Sequence, residues 1–329
     1  MQTVDQRLVV VLGSGRSGTT LIGKIFDSSP DTLYLHEPDK ILVNRCIPFL
    51  PSEHDSVAST VAMARYLERL TGLSTYRTLG SHPVFEKSFR TARQSLLFRL
   101  WTRVGRAGSG LGRDVPLPAL MHAGRPDVVV LKSVSSLARA GIFAAAAPAA
   151  RIVHVVRHPC GVVASWRRGV QAGLMPGETF VADWLATPVG TELFGSEARY
   201  RTAAPEIRAA LGWTVTNEIA HRALRGRQGC ALVRYEDLCS DIGSVTERLF
   251  RHGGLAAGPQ TEAFLARLAS APETSRYFSV LRKPSAGPDR WRAELGAWLC
   301  SAIEELAARS TVGRIALGEA RPWSRQVPQ

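Results

Sequence analysis

Cations and hydroxyls gathered around glycines are the most chemically pointed feature of this sequence. Gly13, Gly15 and Gly18 interrupt the chain after an apolar run, Leu8 to Leu12, and Arg16, Ser17, Thr19 and Thr20 stand among and after them. Single cations follow other short apolar runs: Lys132 after Val128 to Leu131, Arg157 after Arg151 to Val156, and Arg234 after Cys230 to Val233. A guanidinium offers a fixed fork of donors that fits an oxyanion, and hydroxyls add further donors. Such a set can hold a phosphate-like group and stabilise charge that builds during its transfer. Glu37 and His36 follow closely in the chain, and either can take a proton from an attacking group.

The elements that position these residues can be read from apolar spacing. Leu8 to Leu12 is short and rich in β-branched valine, which predicts a buried strand. After the glycines, Leu21, Ile22, Ile25 and Phe26 recur at helical spacing. A strand, a glycine turn and a helix start together place free N–H groups and the positive end of a helix dipole at one point. Three patterns overlap there. Gly13-x-Gly15-x-x-Gly18 fits a dinucleotide fingerprint, with Glu37 near the position of a ribose-binding acid. Gly13-x4-Gly18 opens a P-loop, but Thr19 stands where that motif needs lysine. The third pattern is Arg-Ser-Gly-Thr-Thr-Leu after a strand.

Further strands are expected at Thr32 to Leu35, Val128 to Leu131, Arg151 to Val156 and Cys230 to Val233. Helices are expected at Val57 to Leu70, Ser88 to Val104, Ser136 to Ala147, around Ala209 to Leu224, Gly243 to Arg251 and Thr261 to Leu268, with a final one from Arg290 to Ala308. Gly105 to Gly112 reads as a loop, and a long loop follows the helix around Trp166. Strands alternating with helices predict an α/β fold with a parallel sheet covered on both faces. Ligands of such sheets sit at the carboxyl ends of the strands, where the cations fall.

Composition narrows the class. The 329 residues suit one domain, with a helical insertion over about 45–125 as the expected acceptor-binding region. A net charge of +13 favours anionic ligands, and eight basic residues against Asp114 alone lie between Lys87 and Arg125. No nucleic-acid-binding motif accompanies that charge, so nucleic acid is not the expected partner. Leu8 to Leu12 is too short for a signal peptide, and no apolar run is long enough to cross a membrane. The cysteines at 46, 160, 230, 239 and 300 are odd in number and widely spaced, which argues against a disulfide framework or a zinc site. A cytoplasmic location and no metal are the expectations.

Arg157 ends a strand and Ser165 lies eight residues on, about two turns into the next helix, so both can face a group over the strand's end, a pair that a dinucleotide fold does not predict. Here the sequence resembles the sulfotransferases that use 3′-phosphoadenosine-5′-phosphosulfate (PAPS). The Arg16 loop resembles their phosphosulfate loop, Val155 to Ser165 resembles their 3′-phosphate motif, and Arg234-Tyr235-Glu236-Asp237-Leu238 follows in the right order. The pattern is closer to the carbohydrate and tyrosylprotein branches than to the phenol branch. His158 departs from it, since the family usually has aspartate there.

The resemblance implies a P-loop-like sulfotransferase fold and sulfonate transfer to a hydroxyl, less readily an amine, leaving adenosine 3′,5′-bisphosphate. It implies that Gly15, Arg16, Ser17, Gly18, Thr19 and Thr20 bind the phosphosulfate, and that Arg157 and Ser165 bind the 3′-phosphate. Tyr235, Lys283 and Ser285 become cofactor contacts, the last two in a loop before Arg290-Trp291. Glu37 becomes the catalytic base, with His36 as the alternative, and Arg16 and Lys132 the catalytic cations. The acceptor remains open among small molecule, glycan, lipid and peptide. Competing readings are an NAD(P) oxidoreductase, a phosphotransferase, or a non-catalytic basic anion-binding protein.

Overall fold

Five short apolar runs become the five strands of one parallel sheet: β1 (Arg7–Gly13), β2 (Thr32–His36), β3 (Val128–Ser133), β4 (Arg151–Val156) and β5 (Cys230–Arg234), in the order β2-β3-β1-β4-β5. The computed structural model describes residues 7–51, 56–121, 124–177, 179–195, 198–272, 280–281 and 288–320. Because β1 is central, its alternate side chains enter two different cores. Val9 and Val11 pack with Ile22, Ile25 and Phe26 of helix α1 (Thr19–Asp27) and with Phe250. Val10 and Leu12 pack on the other face with Met63, Leu70, Phe143 and Leu224. Each fully buried aliphatic of this kind contributes roughly 1.5–3 kcal/mol.

The chain leaves β1 through α1 to β2 and returns to both sides of β1, as β3 on one and β4 on the other. That reversal opens a crevice at the carboxyl end of β1, the usual ligand position in an open α/β sheet. Gly13, His36, Ser133, Val156 and Arg234 end the five strands. Short stretches at and after those ends carry every sequence-derived site residue through Tyr235 except Ser165, which lies within a helix.

Helices differ from expectation at several points. The basic helix runs Ala92–Gly110, through part of the stretch read as a loop. Gly105 is buried in it because the Tyr76 ring occupies the space of a Cβ, within 2.2 Å of where one would stand. Leu137–Arg139 is a 3₁₀ turn, and the α-helix there covers only Ala140–Ala146. The long loop contains three short helices, Val181–Ala186, Pro188–Phe194 and Arg199–Thr202. The C-terminal helix is interrupted: Trp291–Glu294 and Ala297–Ala308 flank an extended Leu295, and Thr311–Leu317 follows. The basic region is also not wholly surface. Lys87 is buried, and it flanks Asp27 at 2.8 Å opposite Lys24 at 2.7 Å.

Candidate functional site

The glycine loop is built by backbone conformations that its sequence permits. Gly18 caps α1 at φ +94°, and the Tyr235 ring lies 2.3 Å from where its Cβ would be. Both the left-handed backbone and the packed ring therefore require glycine. Arg16 adopts φ +72°, a costly conformation for a residue with a side chain and one found at functional sites. Ser17 closes the loop: its N–H and hydroxyl both donate to the Ser14 carbonyl, at 3.2 and 2.7 Å. Its hydroxyl is thus engaged inside the turn, whereas the sequence suggests a ligand donor. Gly15 faces open space, with nothing within 4 Å of where its Cβ would stand.

Arg157 and Ser165 are joined to this loop. Arg16 donates from Nε to the Ser165 hydroxyl at 2.9 Å, and Arg157 donates from Nη1 to the Arg16 carbonyl at 3.1 Å. The Arg157 guanidinium also lies 4.6 Å from the centre of the Tyr235 ring. Expected as two separate anion sites, the loop and the β4 junction form one bonded assembly. Tyr235 is buried beneath it and serves as its floor. Behind it, the His158 N–H donates to Glu236 Oε1 at 3.0 Å, and the His158 ring stacks on Trp291 at 4.4 Å. Burial lowers the His158 pKa to about 4, so the ring is neutral and the aspartate-to-histidine departure is accommodated by packing.

Across β1, the ends of β2 and β3 hold an acid–base pair. His36 stands opposite Lys132 in the β2–β3 register, and the Glu37 N–H donates to the Lys132 carbonyl at 2.9 Å. The Lys132 ammonium bonds Glu37 Oε1, and the Lys40 ammonium bonds Oε2. Burial acts to raise the Glu37 pKa, but Lys132, His36 and Lys40 outweigh it and hold the carboxyl down at about 2. Burial, reinforced by Lys132, lowers His36 to about 3, and the Tyr34 hydroxyl meets its Nδ1 at 2.9 Å. Burial also lowers the Lys132 pKa, opposed by Glu37. Glu37 thus has one partner close in the chain, Lys40, and one brought by the fold, Lys132.

Three residues that the sequence pattern does not single out fix this pair. Asp39 Oδ2 accepts from the Ser133 hydroxyl and, at 2.7 Å, from the Ser136 hydroxyl; the Ser136 N–H donates to Ser133 Oγ at 3.0 Å. The network ties the turn after β2 to the end of β3. The available signal is their sequence position: Asp39 two residues beyond Glu37, Ser133 next to Lys132. Lys283 and Ser285 lie outside the described residues. Thr19 is buried in the first turn of α1, and Thr20 is half-buried beside it.

Cys160, in the first turn of the helix Pro159–Gln171, meets Cys300 of the helix Ala297–Ala308, where the Cys160 thiol lies 3.7 Å from the Cys300 carbonyl and 3.9 Å from Glu304. Burial, with the neighbouring Cys300 thiol, pushes the Cys160 thiol well up, which keeps it protonated.

Structures with similar architecture include the sulfotransferase domain of the Synechococcus PCC 7002 olefin synthase. It is 18% identical, with 93% of this chain and 96% of that one covered, at a TM-score of 0.42. Sulfotransferase STF9 from Mycobacterium avium is 16% identical over 93% of this chain and 76% of that one, at 0.46. Mouse sulfotransferase SULT7A1, solved in complex with PAP, is 13% identical over 97% and 91%, at 0.44. No curated protein sequence matches the chain. The sulfotransferase family matches it over residues 9–259, from the first residues of β1 to the start of the helix after Gly258. The span takes in the glycine loop, the Glu37–Lys132 pair and the Arg157–Tyr235 contact, and on it the chain belongs to the sulfotransferase family.

Proposed function

We propose that this protein transfers a sulfonate from PAPS to an acceptor hydroxyl by in-line displacement. The observation that carries the reading is the bonded set Ser165–Arg16–Arg157, with its Tyr235 floor, at the mouth of the glycine loop. Guanidinium forks, a helix N-terminus and a loop of small residues fit phosphate and sulfonate oxygens. Gly15, Arg16, Gly18, Thr19 and Thr20 hold the 5′ end, with Ser17 holding the loop's shape. Arg157 and Ser165 hold the 3′-phosphate, and Lys283 and Ser285 are assigned to the same cofactor. When bound, PAPS supplies an activated sulfonate on a good leaving phosphate.

The chain's own residues supply charge and a proton acceptor. Arg16 and Lys132 oppose negative charge growing on transferring and leaving oxygens, the kind of preorganised stabilisation that dominates many rate enhancements. No metal is needed for that role. Glu37 accepts the acceptor's proton. At a pKa of about 2 it is a weak base while Lys132 and Lys40 hold it. An anion that draws the Lys132 ammonium away raises the proton affinity of Glu37 at the moment of attack. The same ion pair thus keeps the base idle until the anionic donor arrives. The insertion over 45–125 is assigned to the acceptor. Every cysteine is a free thiol among the described residues, which suits a reducing cytoplasm. Among the described residues no helix is long and apolar enough to cross a membrane.

Labelled PAPS and a panel of alcohols, glycans, lipids and tyrosyl peptides test the reading by mass spectrometry. A gain of one sulfonate on an acceptor supports it. Retention on immobilised NAD or ATP, but not on adenosine 3′,5′-bisphosphate, would instead support an oxidoreductase or a phosphotransferase. Binding of the bisphosphate with no turnover across the panel would support a non-catalytic anion-binding protein.

A further inference from the structure

The helix Ala92–Gly110 carries apolar side chains on its outward side as well as its inward one. Its inward side is already satisfied: Phe98 and Trp101 are buried, Trp101 donates to the Pro116 carbonyl at 3.1 Å, and Tyr76 packs against Gly105. Its outward side should then be polar. Instead Leu96, Leu100 and Val104 repeat at four-residue spacing and are 61%, 46% and 62% exposed. Four-residue spacing places the three in one row along the helix. Leu111, just past the helix, is 80% exposed, and Leu120 in a turn packed against it is 67% exposed. Along one flank of the row run Arg99, Arg103 and Arg106, with Arg93 at its start, and the helix carries no carboxylate. Among the described residues Arg99 has an ion pair, with Glu86.

We propose that this face docks on an anionic lipid bilayer, lying in the interface with the leucine row in the acyl boundary and the arginines on the headgroups. Apolar side chains flanked by cations, on a helix whose own sequence has no carboxylate, are what such a surface selects. A partner protein would need a matching groove, and a second copy would bring like charges together, so charge complementarity favours the lipid. No residue of the row belongs to the strand-end site; the row lies within the insertion assigned above to the acceptor, and flotation reads lipid binding without reference to turnover.

Flotation with vesicles tests it, using the full chain, phosphatidylcholine alone and phosphatidylcholine mixed with phosphatidylglycerol. The wild type is expected to float with the mixed vesicles and at least ~10-fold less with phosphatidylcholine alone, with high salt weakening the binding. Leu96→Ser/Leu100→Ser/Val104→Ser should lose binding ~10-fold or more with an unchanged melting temperature, since these side chains are exposed. Arg93→Gln/Arg103→Gln/Arg106→Gln should lose the preference for phosphatidylglycerol. Equal flotation of the wild type and the leucine-row variant overturns the proposal. So does a wild type that stays off both vesicles, or one that dimerises in sedimentation through a face that Leu100→Asp breaks.

Discussion

The two sides of β1 hold their cations by different contacts. On the β3 side Lys132 is buried against a carboxylate, so the cation and its counter-charge arrive together. On the β4 side, a hydroxyl, a backbone carbonyl and an aromatic ring orient Arg16 and Arg157. Those contacts orient the two guanidiniums, and the Glu236 carboxylate feels the Arg157 charge nearby. On the function proposed above, the difference separates two tasks: the β4 side receives an anion, and the β3 side changes state when one arrives.

The largest effect should come from splitting the buried pair. Lys132→Ala removes a cation assigned to the reacting oxygens and leaves Glu37, among the described residues, with exposed Lys40 as its remaining salt bridge. Turnover should fall ~10³-fold, and the protein should lose about 3 kcal/mol in urea melts because a buried ion has lost its partner. Unchanged turnover would erase the distinction between the two sides.

Next in size is the anion-receiving side. Arg157→Ala should weaken adenosine 3′,5′-bisphosphate binding by about 1.5–3 kcal/mol in calorimetry, the range for a charge-assisted hydrogen bond. Because Arg157 also holds the Arg16 carbonyl, adenosine 5′-phosphate should lose affinity too, but less. Equal losses would dissolve the assignment of Arg157 to the 3′-phosphate. Gly18→Ala probes the same side through its floor. It meets a left-handed backbone and the Tyr235 ring together, so a stability loss of about 1–3 kcal/mol is expected, measured by thermal melting.

A smaller effect is read by pH, where His158 on the β4 side, lowered to about 4, acts alongside the β3 pair. The Glu37 pKa is lower in the folded chain, about 2 against an ordinary 4.5. Its stabilisation is therefore present above the ordinary value and lost as pH falls toward 2. His36, lowered to about 3 from 6.5, acts with the same sign but begins to destabilise as pH falls below 6.5. Urea midpoints should decline from near pH 6.5 downward. Glu37→Gln should flatten the part of that decline below pH 4.5 and spare the part above it.

Much of the β4 side was legible in the sequence because its signals are local. A strand ending before Arg157, a helix with Ser165 two turns on, and glycines before α1 are all spaced within a single strand–helix unit. The β3 side was legible only as residue types. The Lys132–Glu37 pair depends on the β2–β3 register, which joins segments 95 residues apart, a separation that local spacing does not bridge. The serines that clasp Asp39 were hidden for the same reason. Gly105 misled for another: glycine in a helix reads as a break until the ring that fills its Cβ space is in view.

The division of labour is tested most directly by Glu37→Gln, measured for both bisphosphate affinity and turnover at saturating PAPS. The variant keeps the shape and one acceptor oxygen for Lys132, loses the acceptor that Lys40 uses, and cannot take a proton. Affinity should stay within about twofold while turnover drops ~10²-fold or more, with a smaller drop for an acceptor whose hydroxyl is already acidic. Turnover within a few-fold of the wild type would contradict the account and move the base to His36.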